Sequence, residues 1–262
     1  MPNKTCSGLD SKIAVVTGAG RGLGATIARE LADRGALVAV VYHRSFQPAK
    51  DVVRDIEARG GRAVAVQADV RDAEQCAAMV AEVTDTLGAP EIMVLNATGF
   101  PDMLRGPALK HSLDEYTDYL VSHFRASLAP LYAVLPGMTE RGRGSVVYIS
   151  DAFARRTAPK GLGHALPKAT VETVMKHLAV ELGPAGIRVN AVVPGAVRSD
   201  GLERAMADES VAADVRAHIE QIPLGRVAEP EEVARAVAML ASDEFGYVTG
   251  AFLPVAGGSI VF

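Results

Sequence analysis

The chain has little of several features that mark particular classes of protein. Its 262 residues contain only two cysteines, Cys6 and Cys76, and their positions show neither a metal-like spacing nor a disulfide framework. The net charge is −4, and neither sign forms a run of five or more, which disfavours nucleic-acid or membrane-surface binding. The N-terminus lacks the apolar core of a signal peptide, and no apolar stretch approaches the ~20 residues of a membrane span. We therefore expect a cytoplasmic protein with small-molecule partners and no metal.

What the chain does have is an alternation of short β-branched runs with longer segments of helical period. The strands are expected at 13–17, 37–42, 62–67, 92–96, 145–150, 187–193 and 251–255. The helices are expected at 22–34, 72–87, 113–139, 165–182 and 230–241. This order predicts an α/β fold, a Rossmann-type doubly wound, seven-stranded parallel sheet with helices on both faces. With 49% hydrophobic residues and no flexible linker, residues 1–262 are expected to form one domain, of which 1–10 are an irregular N-terminal segment.

Three stretches, 97–112, 151–164 and 199–224, show no regular period, and each follows the C-terminal end of a strand. Open α/β sheets bind ligands at that edge, so these loops are expected to shape a substrate pocket. These loops contain both apolar and basic residues, which would suit a substrate with an apolar or polyketide-like carbon skeleton that carries a polar group. The residues concerned are Phe100, Met103, Leu104, Leu202, Arg105, Arg155 and Arg156.

The first strand runs into a glycine-rich turn that contains Gly18, Gly22 and Gly24 and opens the first helix. Glycines let the backbone approach a pyrophosphate there, and the free N–H groups and the helix dipole meet its charge. Such a turn is weak evidence by itself, because it also serves as a tight connection between a strand and a helix.

Five further segments match, in the same order and spacing, motifs of one enzyme family. They are ADV at 68–70, NA at 96–97, the frame around Lys168, RVNAVVPGAV at 188–197 and TGAFLPVAGG at 249–258. With the glycine turn, they make the chain resemble the short-chain dehydrogenase/reductase family, in the branch that includes the β-ketoacyl-carrier-protein reductases. The resemblance implies a nicotinamide dinucleotide in contact with the glycine turn, the ends of several strands and the lysine that binds the ribose. The implied residues are Gly18, Arg21, Gly22, Leu23, Gly24, Arg44, Asp69, Val70, Asn96, Ala97, Lys168, Pro194, Gly195 and Val197.

The end of the second strand indicates which dinucleotide is bound. NAD-selective sites usually place an acid there for the ribose hydroxyls, but this chain has Arg44, with Arg21 in the glycine turn. Two guanidinium groups could meet a 2′-phosphate, so NADP(H) is the expected cofactor. The alternative is that both arginines are merely solvated.

The catalytic positions of the family are altered. Where the family keeps Ser, Tyr and Lys, this chain has Asp151, His164 and Lys168, and an ungapped alignment of 113–138 puts His123 at the family's Asn. Ser150 lies one residue before the position of the family's serine. Tyr148 lies within the preceding strand, where alternate side chains point to opposite faces, and its side chain is expected on the wrong face to replace the missing tyrosine.

We hypothesise that His164 is the general acid and that Asp151 orients it, because imidazole titrates near ~6.5. Lys168 would anchor the ribose, and His123 would act as a relay or contact the substrate. Other roles stay open: His164 as a residue that only binds, Asp151 as the cap of a turn, and His123 as a locally satisfied polar group. Pro167 is expected in the first turn of its helix.

Three functions remain possible. The leading one is an NADPH-dependent carbonyl reductase, or the reverse alcohol dehydrogenase, acting on a small carbonyl or alcohol substrate. The others are a redox-neutral cyclase, dehydratase or isomerase, and a catalytically inactive NADP(H)-binding regulatory or interaction protein. The resemblance also implies a homo-oligomer, a tetramer or dimer, formed through the helices at 113–139 and 165–182.

Overall fold

A computed structural model describes residues 8–98, 104, 106–157 and 160–261. In this part of the chain seven parallel strands form one sheet in the order β3-β2-β1-β4-β5-β6-β7. They are β1 Ile13–Val16, β2 Leu37–Tyr42, β3 Arg62–Gln67, β4 Ile92–Leu95, β5 Gly144–Ile149, β6 Ile187–Pro194 and β7 Phe252–Val255. Each strand begins and ends within one residue of the range expected from the sequence, which confirms the predicted sheet.

The strands are nearly continuous runs of Val, Ile, Leu and Ala because helices cover both faces of the sheet. Ala14 of β1 is aligned with Val38 of β2 on one side and with Ile92 of β4 on the other. Alternate side chains along the strands enter two separate apolar clusters, one on each face.

The helices are α1 Gly22–Asp33, α2 Phe46–Ala58, α3 Ala73–Thr86, α4 Leu113–Arg141, α5 Leu162–Leu182, α6 Asp200–Ala207, α7 Ala212–Glu220 and α8 Pro230–Ala241. On one face α1 packs against α2 and α8, and on the other face α4 packs between α3 and α5. The expected capping box of α4 is present between Ser112 and Glu115, and Pro230 occupies the first turn of α8. No helix within the described ranges is long and apolar enough to cross a membrane.

The sequence does not predict α2, α6 or α7, and its interpretation of 199–224 as irregular is wrong. Ser199 starts α6, where its side chain accepts a hydrogen bond from the N–H of Leu202. Helix α2 does carry an apolar face, in which Ala49, Val52 and Ile56 are buried, and the sequence interpretation missed it. Helices α6 and α7 have only 8 and 9 residues and bury one alanine each, Ala205 and Ala212, so their buried face gives little signal.

The expected place of Pro167 is also wrong. Helix α5 begins at Leu162, because the N–H groups of His164 and Ala165 both donate to the carbonyl of Gly161. Pro167 therefore lies in the second turn, where its missing N–H leaves the carbonyl four residues earlier without the usual helical donor. His164 consequently sits inside the first turn of α5 and is held by the helix backbone.

Candidate active site

The glycine turn after β1 has the close backbone packing that a dinucleotide site requires. Gly18 and Gly22 have φ of +64° and +54°, in the left-handed region that favours glycine. A Cβ atom added to Gly24 would lie 2.4 Å from the carbonyl oxygen of Gly18 and 2.5 Å from Nδ2 of Asn96. The first turn of α1 can therefore approach β1 and β4 only with glycine at position 24.

Asn96 and Thr17 fix the shape of this turn. The side-chain amide of Asn96 donates to the carbonyls of Thr17 and Gly18, at 2.9 and 3.3 Å. The hydroxyl of Thr17 accepts the backbone N–H groups of Asn96 and Ala97, both at 3.0 Å. Thr17 is fully buried, and sequence reasoning missed it, although its position directly before Gly18 offered a signal.

The N-terminus of α1 fits an anionic group such as a diphosphate. Its N-cap is Arg21, and within the described residues no side chain caps its N–H groups and no acid lies in its first turn. A Cβ atom at Gly22 would meet no described atom within 4 Å, so this part of the turn faces open space. The free N–H groups and the positive end of the helix dipole are available there to an anion.

The expected adenosine end lies beyond β2 and β3. Arg21 and Arg44 are both exposed. The carboxylate of Asp69 pairs with the guanidinium of Arg71 at 2.6 Å and lies 3.8 Å from Nε2 of His43. The hydrogen bond from Arg71 lowers the pKa of Asp69 to about 2 against the opposing effect of burial. Because Arg71 neutralises the charge of Asp69, this carboxylate would not repel an anion bound at this edge of the sheet.

One cavity of about 500 Å³ joins the expected nicotinamide end to the altered catalytic positions. Its lining includes Leu23 of the glycine turn, Pro194, Gly195 and Val197 at the end of β6, and Asp151 and His164. Residues of α6 and α7, among them Leu202 and His218, form the opposite wall. The fold thus brings residues from both ends of the predicted site to one space, whereas Arg44, Asp69 and Val70 lie along the sheet edge outside its lining.

Asp151 and His164 lie side by side in this cavity. Oδ1 of Asp151 accepts the N–H of Phe153 at 2.8 Å, and its Oδ2 lies 3.3 Å from Nδ1 of His164. Burial by itself would raise the pKa of Asp151, but His164, the Phe153 N–H and the charge of Lys168 together lower it. The side chains remain 28% and 24% exposed, so both are accessible from the cavity. Asp151 thus caps a turn and contacts the imidazole at the same time.

Lys168 lies one helical turn beyond His164. Its ammonium donates to the carbonyl of Ile149 at 2.6 Å and lies 5.0 Å from the centre of the Tyr148 ring. Burial lowers the pKa of Lys168 to about 8, although the charges of Asp151 and Glu172 oppose that shift. Tyr148 is 1% exposed and belongs to the apolar cluster beneath α4 and α5, as its strand parity predicts.

His123 on α4 is 2% exposed, and neither ring nitrogen has a hydrogen-bond partner among the described residues. Burial, followed by the charges of Lys168 and His164, lowers the pKa of His123 to about 3. The ring is therefore neutral, and it packs against Tyr119 with the ring centres 5.3 Å apart.

A buried carboxylate that the sequence did not single out lies next to Lys168. Glu172, one turn further along α5, is 3% exposed and accepts a 2.5 Å hydrogen bond from the hydroxyl of Ser150. Its other oxygen accepts from Nε of Arg155 at 2.6 Å, and the Arg155 guanidinium lies over the ring of Phe252 at 4.5 Å. The sequence offered one signal for Glu172: it lies four residues after Lys168, so the two side chains share one face of the helix. Glu172 ties the loop that carries Asp151 to the helix that carries His164.

Of the residues expected to line the substrate pocket, Leu202 and Arg156 do so, whereas Leu104 is not part of the lining and Arg155 points to Glu172 instead. Phe100, Met103 and Arg105 lie outside the described residues. In the described ranges no group of three or more His, Cys, Asp or Glu side chains could hold a metal ion.

The fold and the glycine turn define a Rossmann-type protein whose first helix begins at a turn open to an anionic group. A family model described as enoyl-(acyl carrier protein) reductase matches residues 18–259. The 3-oxoacyl-[acyl-carrier-protein] reductase FabG of Staphylococcus aureus is 35% identical over 248 residues, 95% of this chain and 98% of that protein. The L-rhamnose 1-dehydrogenase (NAD(P)(+)) of Sphingomonas sp. is 35% identical over 258 residues, 97% of this chain and 98% of its own length.

Among solved structures, a gluconate 5-dehydrogenase from Burkholderia cenocepacia in complex with NADP and tartrate aligns with a TM-score of 0.87 and 28% identity. That alignment covers 98% of this chain and 99% of the other. The chain therefore belongs to the short-chain dehydrogenase/reductase family, within the group that the enoyl-(acyl carrier protein) reductase model describes, and it is an oxidoreductase. The family and fold expected from the sequence are confirmed.

Proposed function

We propose that this protein is an NADP(H)-dependent carbonyl reductase, or the reverse alcohol dehydrogenase, in which His164 exchanges the proton and Asp151 orients it. The observation that carries the proposal is the 3.3 Å approach of Asp151 Oδ2 to His164 Nδ1. It occurs in a cavity that Leu23, Pro194 and Gly195 also line. A single domain spanning 1–262 would hold both the cofactor and the substrate.

When bound, the nicotinamide supplies or accepts the hydride. With Nδ1–H donating to Asp151, Nε2 is the ring nitrogen that exchanges a proton with the substrate oxygen. The lowered pKa of Asp151 keeps it a carboxylate at neutral pH, so it accepts the Nδ1–H of His164 and orients the ring. A general acid of this kind contributes about 10²–10⁴-fold to the rate.

Lys168 and His123 support the proton donor. With a pKa of about 8, Lys168 is positively charged at neutral pH, so it stabilises negative charge on the substrate oxygen. His123 remains neutral beside them, and its two buried nitrogens offer one donor and one acceptor for relaying a proton.

The preference for NADP(H) rests on Arg21 and Arg44. Both are exposed at the cofactor edge, and the nearby acid, Asp69, is neutralised by Arg71. We expect Arg44→Asp to weaken NADPH binding by about 10- to 100-fold and to leave NADH binding nearly unchanged. Fluorescence titration measures both affinities, and Arg54→Asp on the exposed face of α2 is the control. Equal loss for both cofactors would remove Arg44 from phosphate recognition.

The chemistry is tested by following NADPH absorbance and product together. The substrates would be a 3-oxoacyl thioester and an oxo sugar acid, in line with the names of the similar 3-oxoacyl-[acyl-carrier-protein] reductase and gluconate 5-dehydrogenase. We expect His164→Phe to reduce turnover at least about 100-fold while NADPH still binds. His177→Phe, an exposed substitution on the same helix, should have no effect. Product without NADPH consumption would identify a redox-neutral enzyme, and cofactor binding without any turnover would identify an inactive binding protein.

We also propose that the chain forms a homo-oligomer through α4 and α5. Val121 and Tyr132 on α4 are 50% and 62% exposed, and Val180 on α5 is 80% exposed. Apolar side chains in such positions favour burial against another subunit. Light scattering at micromolar concentration should show a dimer or tetramer, and a monomer would exclude the proposal.

A further inference from the structure

The substrate cavity contains a guanidinium whose hydrogen-bond partner is an imidazole. Nη1 of Arg156, on the loop after β5, lies 2.6 Å from Nδ1 of His218 on α7. Arginine only donates, so Nδ1 of His218 accepts and the ring carries its proton on Nε2. Burial and then the charge of Arg156 lower the pKa of His218, with Asp151 opposing, which agrees with a neutral ring. The partner therefore leaves the positive charge of Arg156 uncompensated.

The other charged side chains of the cavity wall have partners of opposite charge. Lys160 donates to Asp214 at 2.8 Å, and His164 lies beside Asp151. Among the described lining residues, Arg156 is the cation for which no carboxylate lies within ion-pair distance. A cation in this position of a largely apolar cavity favours a ligand that brings its own negative charge.

The ring of Phe153 fixes the distance between this cation and the proposed proton donor. It lies against His164 on one side, with ring centres 5.0 Å apart, and near His218, at 6.2 Å. The guanidinium carbon of Arg156 is 5.7 Å from the same ring centre. Both His164 and the Arg156 guanidinium therefore lie within 6 Å of one ring centre, close enough for a short carbon chain to join a reacting carbonyl at His164 to an anion at Arg156.

We propose that the guanidinium of Arg156, held in place by Nδ1 of His218, forms a carboxylate-binding subsite, and that the substrate is an oxo acid or hydroxy acid whose carbonyl or alcohol carbon lies at His164. The inference rests on the proposed function for the reacting end only. The guanidinium fork matches the two oxygens of a carboxylate, and Nδ1 of His218 occupies only one of its five N–H donors. The α7 helix would thus decide which substrates are accepted.

Binding without turnover tests the subsite directly. Isothermal calorimetry with heptanoate and heptanamide, with and without saturating NADPH, compares ligands that differ only at the acidic end. We expect heptanoate to bind at least about tenfold more tightly than heptanamide, because hydrogen bonds between charged groups are stronger than neutral ones. Arg156→Gln should remove this difference and Arg156→Lys should keep part of it, whereas Arg216→Gln, the same charge change on α7 outside the cavity lining, should preserve it.

Equal binding of the two ligands by the wild-type protein, or an undiminished preference in Arg156→Gln, would overturn the subsite. Thermal unfolding checks that each variant is folded. If Arg156→Gln does not fold, His218→Phe provides the second test: it removes the acceptor that holds the guanidinium in place, and it should reduce the heptanoate preference. An unchanged preference in His218→Phe would overturn the subsite of Arg156 and His218.

Turnover separates this inference from the proposed function. We expect reduction of 6-oxoheptanoate to exceed that of its methyl ester at least about tenfold in kcat/KM, and Arg156→Gln to abolish the ratio. If no oxo compound is reduced but heptanoate still binds through Arg156, the subsite stands and the reductase proposal fails. If both compounds are reduced equally, the reductase stands and the subsite is wrong.

Discussion

The carboxylate of Asp151 joins a backbone turn to the imidazole of His164. One oxygen accepts the N–H of Phe153 at 2.8 Å, and the other lies 3.3 Å from Nδ1 of the ring. The turn therefore fixes the carboxylate, and the carboxylate in turn fixes the orientation and the tautomer of the histidine. A serine at position 151 could cap the turn but would bring no charge to the imidazole.

The first prediction concerns that charge. Asp151→Asn keeps an oxygen for the Phe153 N–H, but its amide would present a donor to Nδ1 and favour the wrong tautomer. We expect kcat to fall about 10²-fold or more while the affinity for NADPH stays within a factor of two, because only the proton donor is disturbed. Steady-state kinetics and cofactor titration measure the two effects. Asp118→Asn, on the exposed side of α4, is the matched control. A kcat equal to that of the wild type would show that Asp151 serves only as a cap.

The second prediction tests the close packing of the glycine turn. The added methyl group of Gly24→Ala would lie 2.4 Å from the carbonyl oxygen of Gly18, so either α1 or β1 must shift. We expect NADPH binding to weaken at least about tenfold and the unfolding free energy to drop by about 1–3 kcal/mol. Gly183→Ala is a suitable control, because a Cβ atom there meets no described atom within 4 Å and φ is −50°. Unchanged NADPH affinity in Gly24→Ala would show that the turn does not approach the cofactor.

The sequence predicts the strands well because each is an apolar β-branched run between helical segments, and burial on both faces requires such runs. It predicts α6 and α7 poorly, because these helices have 8 and 9 residues and each buries a single alanine, so the apolar face that would mark a helix is one residue wide. The contact between Asp151 and His164 could be anticipated from the family spacing. The contact between Arg155 and Glu172 could not, because 17 residues and a change of element separate them and only the tertiary fold brings them together.

The third prediction concerns that second contact. Glu172→Gln keeps the shape of the side chain but removes the charge that faces Arg155, whose side chain is only 21% exposed. We expect the unfolding free energy to fall by about 3 kcal/mol, since breaking one partner of a buried ion pair leaves the other uncompensated. The pKa of Lys168 should fall further, because the charge of Glu172 opposes its decrease. Urea denaturation measures the stability, with Glu181→Gln on the exposed side of α5 as the control. Equal stability of the two variants would show that the pair contributes nothing.

The fourth prediction uses the buried imidazole of His123. Its pKa is about 3 in the folded protein, whereas an unfolded histidine titrates near ~6.5. Between these values the unfolded chain binds more protons, so this residue lowers stability as the pH falls through that window. At pH ~4.5 the loss relative to neutral pH should reach roughly 2 kcal/mol, a contribution that His123→Asn cannot make because its side chain does not titrate.

Urea denaturation of both proteins at neutral pH and at pH ~4.5 isolates this contribution, because carboxylates shared by the two proteins cancel in the comparison. His177→Asn, exposed on α5, should lose as much stability on acidification as the wild type. If His123→Asn also loses the same amount, the imidazole accepts a proton without cost in the folded state. It would then have access to solvent or to a partner that compensates its charge, and its proposed role as a neutral relay beside Lys168 would be wrong.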